Sequence, residues 1–398
     1  MYLSVSIDNS VMDKFEDICL CEGISIYTAI NMFAKEMVDE CCIPFKIAVS
    51  KEKVRDHKKE RIAKKFSEQI NIALDNVPEE QRDFYYEKIV NDICDIRETT
   101  GFLEFEYFRL KLYLMDREEW LKEYLSDHDG LFTYWQLNGD CVNVMDKYDI
   151  YTKLKKYFKR EVVPVRDKSE ISRLGRFLSK HKKIVVKPIN GSLGKGVRTL
   201  TIAEWEQNSH EFEKNLFKDY PGGVLLEEVI DQHEDIAKFN PYSVNTLRIM
   251  TIRVSDDDIR TFTAFRIGTT KDIVDNVSRK GLTCHVDTVT GEISDPRNGS
   301  GKLFDQNPNT GVQITGAKIP YIQDAIDFAK EMALQMPEHR YCGWDIALSK
   351  KGWVIVEFNG KSGFVCLESA MGHGFRQEFE EIFKTLGKPA VFKRPCDE

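Results

Sequence analysis

Residues 183–202 read KIVVKPINGSLGKGVRTLTI, and the fold turns on how this stretch is parsed. Lys183–Ile189 is a short apolar strand that closes on a lysine and a proline; Asn190–Val197 is a glycine-rich turn; Arg198–Ile202 is a second strand. No Gly-Lys-Ser or Gly-Lys-Thr opens a helix here, so the segment is not a P-loop but a hairpin whose turn can cover phosphates. Gly191, Gly194 and Gly196 let backbone N–H groups approach phosphate oxygens closely. A glycine hairpin alone is more often only a turn, so its surroundings decide the reading.

Downstream, Gly223–Ile230 (GVLLEEVI) reads as a strand that ends on Glu227 and Glu228. Further on, Gly343–Ser349 (GWDIALS) and Trp353–Asn359 (WVIVEFN) read as two strands joined by Lys350, Lys351 and Gly352. In extended structure Glu357 and Asn359 share a face, and a short hairpin brings Asp345 beside them. Two carboxylates and an amide oxygen on one face form a hard oxygen site suited to magnesium that also contacts phosphates. The alternative is a salt-bridged sheet, but acids set between Val, Ile and Phe are costly unless paired or metal-bound.

Taken in order, these elements resemble the ATP-grasp superfamily, and most of all its sugar-transfer-associated and TupA-like branch. The resemblance covers about residues 100–390. It rests on Asp146-Lys147 in VMDKYDIY, Lys187 in VVKP, the glycine loop, Glu227-Glu228, Asn245–Arg248 in VNTLRI, the loop Asp275–Gly281 (DNVSRKG), and the Asp345, Glu357 and Asn359 set. The fold class it implies is α+β: an ATP-grasp fold in which two α+β subdomains clasp ATP, preceded by a helical region. It assigns Lys147 and Lys187 to the α- and β-phosphates, and Ser192 with Gly191, Gly194 and Gly196 to the lid. Glu227 and the backbone of Glu228, Val229 and Ile230 match the adenine hinge. Asp345, Glu357 and Asn359 match the Mg2+ ligands, Arg248 an arginine near the transferred phosphate, and Asn276 a substrate-side loop. Family members commonly carry paired glycines where this chain has Lys280-Gly281. Lys195 either adds a phosphate contact or projects into water.

The activity implied is an ATP- and magnesium-dependent carboxylate–amine ligase working through an acyl phosphate, with a sugar or cell-envelope glycan precursor as one substrate by family analogy. Magnesium, Lys and Arg would stabilise the charge spread over the transferred phosphoryl group. A closing lid would shield the acyl phosphate from water. No covalent nucleophile is needed, and no Ser-His-Asp or Cys-His arrangement stands out.

The amino-terminal part reads differently. Tyr2–Ile7 alternates as a strand, two helices follow with Gly23 ending the first and Ser25 capping the second, and Ile26, Ala29, Ile30, Phe33 and Met37 form an apolar stripe. Gly23–Phe45 resembles the ribbon-helix-helix antitoxins of the RelB/DinJ family, which implies pairing of two copies through their strands. Residues 1–50 hold three lysines against eight carboxylates, and the strand lacks Arg, Lys, Asn or Gln, so the module has the wrong sign for DNA. A homodimer through residues 1–50 is therefore expected over DNA or toxin binding. A nucleotide-sensing transcriptional or antitoxin-type regulator is the alternative function.

The expected organisation is a ribbon-helix-helix module over residues 1–50, a helical linker and flank over 51–139, and a catalytic domain over 140–395. The charged run Lys51–Gln69 reads as a solvated helix. Phe84, Ile89, Val90, Ile93 and Ile96 mark one helix face, and Phe105, Tyr107, Phe108 and Tyr113 read as core with no catalytic cluster nearby. With 398 residues, 42% apolar and 31% charged, the chain is globular with two or three folding units, and a net charge of −8 argues against coating of polyanions. No secretory signal or membrane-spanning run is evident, so no membrane partner and a cytoplasmic location are expected. Ten scattered cysteines fit neither a disulfide framework nor a zinc ribbon.

Overall fold

The computed structural model describes residues 9–40, 51–139, 146–191, 194–272 and 281–392. The expected strand Tyr2–Ile7 and the site candidates Ser192 and Asn276 lie outside the described residues. The chain forms two compact units, Met1–Glu98 and Thr99–Glu398.

In the first unit, helices Asn9–Cys21 and Ile26–Glu40 stand where the two helices of the expected module belong. Gly23 ends the first with φ of +69°, and the Ser25 hydroxyl accepts from the Thr28 N–H at 3.0 Å to start the second. With the strand outside the described residues, a ribbon-helix-helix arrangement is not shown. The charged helix Lys51–Lys65 is not uniformly solvated: Ile62 is buried, and Arg61 pairs at 3.4 Å with the buried Asp17. Helix Arg82–Thr100 buries Ile89, Val90, Ile93 and Ile96 as expected. Phe84 is 66% exposed, because it lies five residues before Ile89 and falls off the i, i+3, i+4, i+7 stripe.

The second unit begins at Thr99. Tyr107, Phe108 and Tyr113 are core, and Phe102 packs edge-on against Trp120 at 4.9 Å, while Phe105 is exposed. The same region buries Glu106, Arg109 and Asp129, ionisable groups that hydrophobic periodicity did not bring out.

Two antiparallel sheets follow. The strands are β1 (Val162–Val165), β2 (Lys183–Pro188), β3 (Arg198–Thr201) and β4 (Val224–Glu228) in one sheet. The other holds β5 (Thr246–Arg253), β6 (Ile259–Ile267), β7 (Leu282–Val286), β8 (Ile293–Arg297), β9 (Tyr341–Ser349) and β10 (Gly352–Asn359). Their orders are β1-β4-β2-β3 and β10-β9-β5-β6-β7-β8.

Alternation along each strand divides core from site. In the smaller sheet Ile184, Val186, Val224 and Leu226 pack with Leu174, Phe177, Leu178 and Leu216 of helices Ser172–His181 and Ile202–Asp219, which leaves Val185, Lys187, Leu225 and Glu227 on the opposite face. In the larger sheet Leu247, Ile249, Phe265, Trp344 and Ile346 join a core with Ala325, Ala329 and Met332 of helix Ile322–Leu334. Arg248, Arg266 and Asp345 then fall on the other face. Among the described residues no helix is long and apolar enough to cross a membrane.

Candidate active site

The hairpin of β9 and β10 holds an irregularity that the sequence alternation does not reveal. Ile355 pairs with Ile346, but the next pair is Glu357 with Asp345, so Val356 is an extra residue and β10 is bulged there. Without the bulge Glu357 would share the face of Ile355, which is fully buried in the core. With it, Glu357 and Asn359 stand on the face of Asp345, and Asn359 Nδ2 lies 3.4 Å from Asp345 Oδ2. Gly343 opposite Asn359 leaves room for Ser362, whose Oγ would sit 2.6 Å from a Cβ there.

Asp345 is 5% exposed and meets two arginines. Arg248 binds it in bidentate fashion, Nε to Oδ1 at 2.5 Å and Nη2 to Oδ2 at 3.0 Å, and Arg266 Nη1 reaches Oδ2 at 3.2 Å. Register explains the arrangement: Arg248 is the direct cross-strand partner of Asp345, and Arg266 sits one strand further opposite Thr246. Burial alone would raise the Asp345 carboxyl, yet Arg248 and Arg266 outweigh it and hold it below its ordinary value.

Across the cavity, Glu227 is flanked on its own face by two cations. Val162 of β1 and Val185 of β2 lie directly opposite it, so Arg160, two residues before Val162, and Lys187, two after Val185, are its diagonal neighbours. Arg160 donates to Glu227 Oε2 from Nη2 at 2.7 Å and Nε at 3.1 Å, and Lys187 Nζ donates to the same oxygen at 3.0 Å. Burial acts to raise the Glu227 carboxyl, but Lys187 and Arg160 reverse this and bring it down to about 2. The Glu227 side chain, expected at the adenine hinge, lines the cavity and is engaged by these two cations. Glu228 turns outward to Lys351 at 3.0 Å, and the Glu161 N–H donates to it.

Asp146 accepts from the Tyr148 and Asp149 N–H groups at 2.6 and 3.1 Å and so caps helix Lys147–Lys153. The cap places Lys147 at the first helical position, 3.4 Å from Glu357 Oε1. In the glycine turn, Gly194 and Gly196 adopt φ of +66° and +75°, and Tyr220 donates its hydroxyl to the Gly196 carbonyl at 2.9 Å.

These side chains surround one cavity of about 490 Å³. It is lined by Lys147, Lys187, Gly191, Gly194, Lys195, Arg248, Asp345, Glu357 and Asn359, and by the run Glu227, Glu228, Val229 and Ile230. Thus most site candidates converge on a single place; Gly196 sits beside the cavity without lining it. Sequence reading missed Arg266, Gln232, Tyr242 and Ser243, which also line it, and Arg160 behind Glu227. Arg266 carried a signal: a cation between the buried Phe265 and Ile267 needs a partner, by the same argument applied to Asp345.

The donor set fits magnesium in a particular way. Among the described residues no group of three or more His, Cys, Asp or Glu could hold a metal. Asp345, Glu357 and the Asn359 amide oxygen supply two carboxylates and one neutral donor. Such a set suits an ion that retains waters and shares phosphate oxygens, not a protein cage.

The cavity is lined by strands of both antiparallel sheets. Residues 140–384 match the family of sugar-transfer associated ATP-grasp proteins, and the chain belongs to that family. Among solved structures it is similar to the ATP-grasp ligase PsnB complexed with minimal precursor, Mg and ADP, at 11% identity and TM-score 0.37, covering 64% of this chain and 62% of that one. It is also similar to D-alanyl-alanine synthetase A from Vibrio cholerae, at 11% identity and TM-score 0.38, covering 62% of this chain and 66% of that one. A further similar structure is the VanG D-Ala:D-Ser ligase from Enterococcus faecalis, at 13% identity and TM-score 0.39, covering 63% of each chain. The chain spans less than two thirds of the length of these three structures. No curated protein matches it.

Proposed function

We propose that the protein is an ATP- and magnesium-dependent ligase that joins a carboxylate to an amine, with one of the two carried on a sugar or cell-envelope glycan precursor. The observation that carries this reading is the Asp345 cluster. Arg248, Arg266, Glu357 and Asn359 gather at one carboxylate on one wall of a cavity that also presents Lys147 and Lys187.

Asp345, Glu357 and Asn359 would hold magnesium, which when bound would supply neutralisation of phosphate charge. Lys187 and Lys147 would bind the α- and β-phosphates, with the glycine turn above them. Arg248, fixed by its bidentate bond, would face the γ-phosphoryl group as it moves. In the first step an acceptor carboxylate oxygen bonds to the γ-phosphorus as the bond to the β-phosphate oxygen breaks, and ADP leaves. In the second, an amine attacks the acyl carbon, the carbon–oxygen bond to phosphate breaks, phosphate leaves, and the amine loses a proton to solvent. The fully buried floor of β9 excludes water from below, which favours the amine as attacker.

The test is release of ADP and phosphate by purified protein against panels of sugar acids, amino acids and amines. Turnover that requires both an acid and an amine supports the reading. Turnover independent of any acid, or none with Mg-ATP bound, counts against it. Residues 1–50 are further proposed to pair two copies of the chain.

A further inference from the structure

We propose that Arg160, which touches neither the metal set nor the glycine turn, is a positioning residue that frees Lys187 for nucleotide phosphate by holding the charge of Glu227. This rests on the nucleotide-binding reading of the cavity.

Lys187 and Arg160 share one oxygen, Glu227 Oε2, and approach it from opposite sides of β4, Lys187 on β2 and Arg160 just before β1. The two differ in freedom. Arg160 is 3% exposed in its side chain, and its Nη1 also donates to the carbonyls of Ile355, on β10 of the other sheet, and of Phe158, which fixes the guanidinium from behind. Lys187 is 16% exposed, lines the cavity, and among the described residues its side chain bonds to Glu227 alone. Arg160 does not line that cavity. Arg160 is thus the permanent counter-ion and Lys187 the exchangeable one.

Their difference matters when phosphate arrives. For Lys187 to turn to a phosphate oxygen it must loosen its hold on a carboxylate that is 5% exposed. A buried carboxylate left without a partner is costly, so Lys187 alone would stay with Glu227. With Arg160 donating to Oε2 through two nitrogens, Glu227 keeps a charged partner and the ammonium is released at little cost. Because Arg160 also bonds Ile355, next to the bulge that presents Glu357, the same guanidinium ties the phosphate-side sheet to the metal-side hairpin.

Calorimetric titration of Mg-ATP into the full-length chain and its variants tests this. Arg160→Met should weaken Mg-ATP binding by about tenfold, the loss of roughly one charged hydrogen bond. Glu227→Gln in the same chain should restore affinity to within about threefold of Glu227→Gln alone, since the competing charge is gone. Arg160→Lys should be intermediate, and serves if Arg160→Met does not fold. A merely structural arginine would lower melting temperature without rescue of affinity by the second substitution, and that result overturns the proposal. So does wild-type affinity in folded Arg160→Met or Arg160→Lys. If the wild-type chain itself binds no Mg-ATP, the functional reading falls and this inference with it; failure confined to the variants sinks this inference alone.

Discussion

Glu357 lies directly opposite Asp345 because Val356 is bulged out of the β9–β10 ladder. The pair has unequal surroundings: Asp345 is buried between two arginines, while Glu357 is 40% exposed in its side chain and faces Lys147. The two carboxylates therefore differ in what their loss does.

Asp345→Asn should abolish turnover and also cost about 3–5 kcal/mol of stability, because it leaves buried guanidinium groups without their anion. Glu357→Gln should lower kcat by about 10²–10³ while changing stability by less than about 0.5 kcal/mol. Denaturant melts beside turnover assays separate the two. Equal stability loss in both would contradict the account of the cluster.

Acid should destabilise the protein through Glu227. Its carboxyl is held at about 2 in the folded chain against 4.5 ordinarily, so its stabilising contribution is complete above about 4.5 and is lost as pH falls toward 2. That contribution is of the order of 3 kcal/mol. Glu106 acts in the opposite sense: buried beside Asp127, it is raised to about 8, so stability should fall as pH rises from about 4.5 to 8. Urea melts across pH should show Glu227→Gln flattening the acid limb and Glu106→Gln flattening the neutral one. Curves parallel to wild type would refute each assignment.

Lys187→Met should weaken Mg-ATP by about ten- to hundredfold, because it removes a cation from the cavity wall. Fluorescence or calorimetric titration reads this. Unchanged affinity would place the phosphates elsewhere.

Ile30→Glu bears on self-association. Ile30 is 39% exposed on helix Ile26–Glu40, so the substitution should leave the fold intact. If residues 1–50 pair two copies, light scattering should show the mass halved and Mg-ATP affinity unaltered. A monomeric wild type, or a dimer insensitive to Ile30→Glu, would reject that pairing.

The elements that were legible in sequence are those whose chemistry is local. The glycine turn after Lys187 and the acids within β9 and β10 violate the expected texture of a buried strand, and so identify themselves. Arg160 and Arg266 escaped because their meaning is a long-range pairing: Arg160 meets Glu227 across 67 positions and Arg266 meets Asp345 across 79. The bulge at Val356 escaped too, since WVIVEFN alternates no differently with an extra residue than without one. Arg109 was passed over as part of a helical flank, yet its Nη2 bonds Thr283 of β7 at 2.7 Å, across 174 positions. Hydrophobic periodicity assigns faces to elements. It does not say which distant cation each buried acid will meet.

The central claim is that the Asp345, Glu357 and Asn359 face holds magnesium together with nucleotide phosphate. Calorimetry with magnesium alone, ATP with a chelator, and Mg-ATP tests it most directly. The account predicts tight binding for Mg-ATP, weak binding for ATP alone, and none for magnesium alone, because the arginines already neutralise Asp345. Equal affinity for ATP with and without magnesium, or strong binding of magnesium by itself, would contradict it.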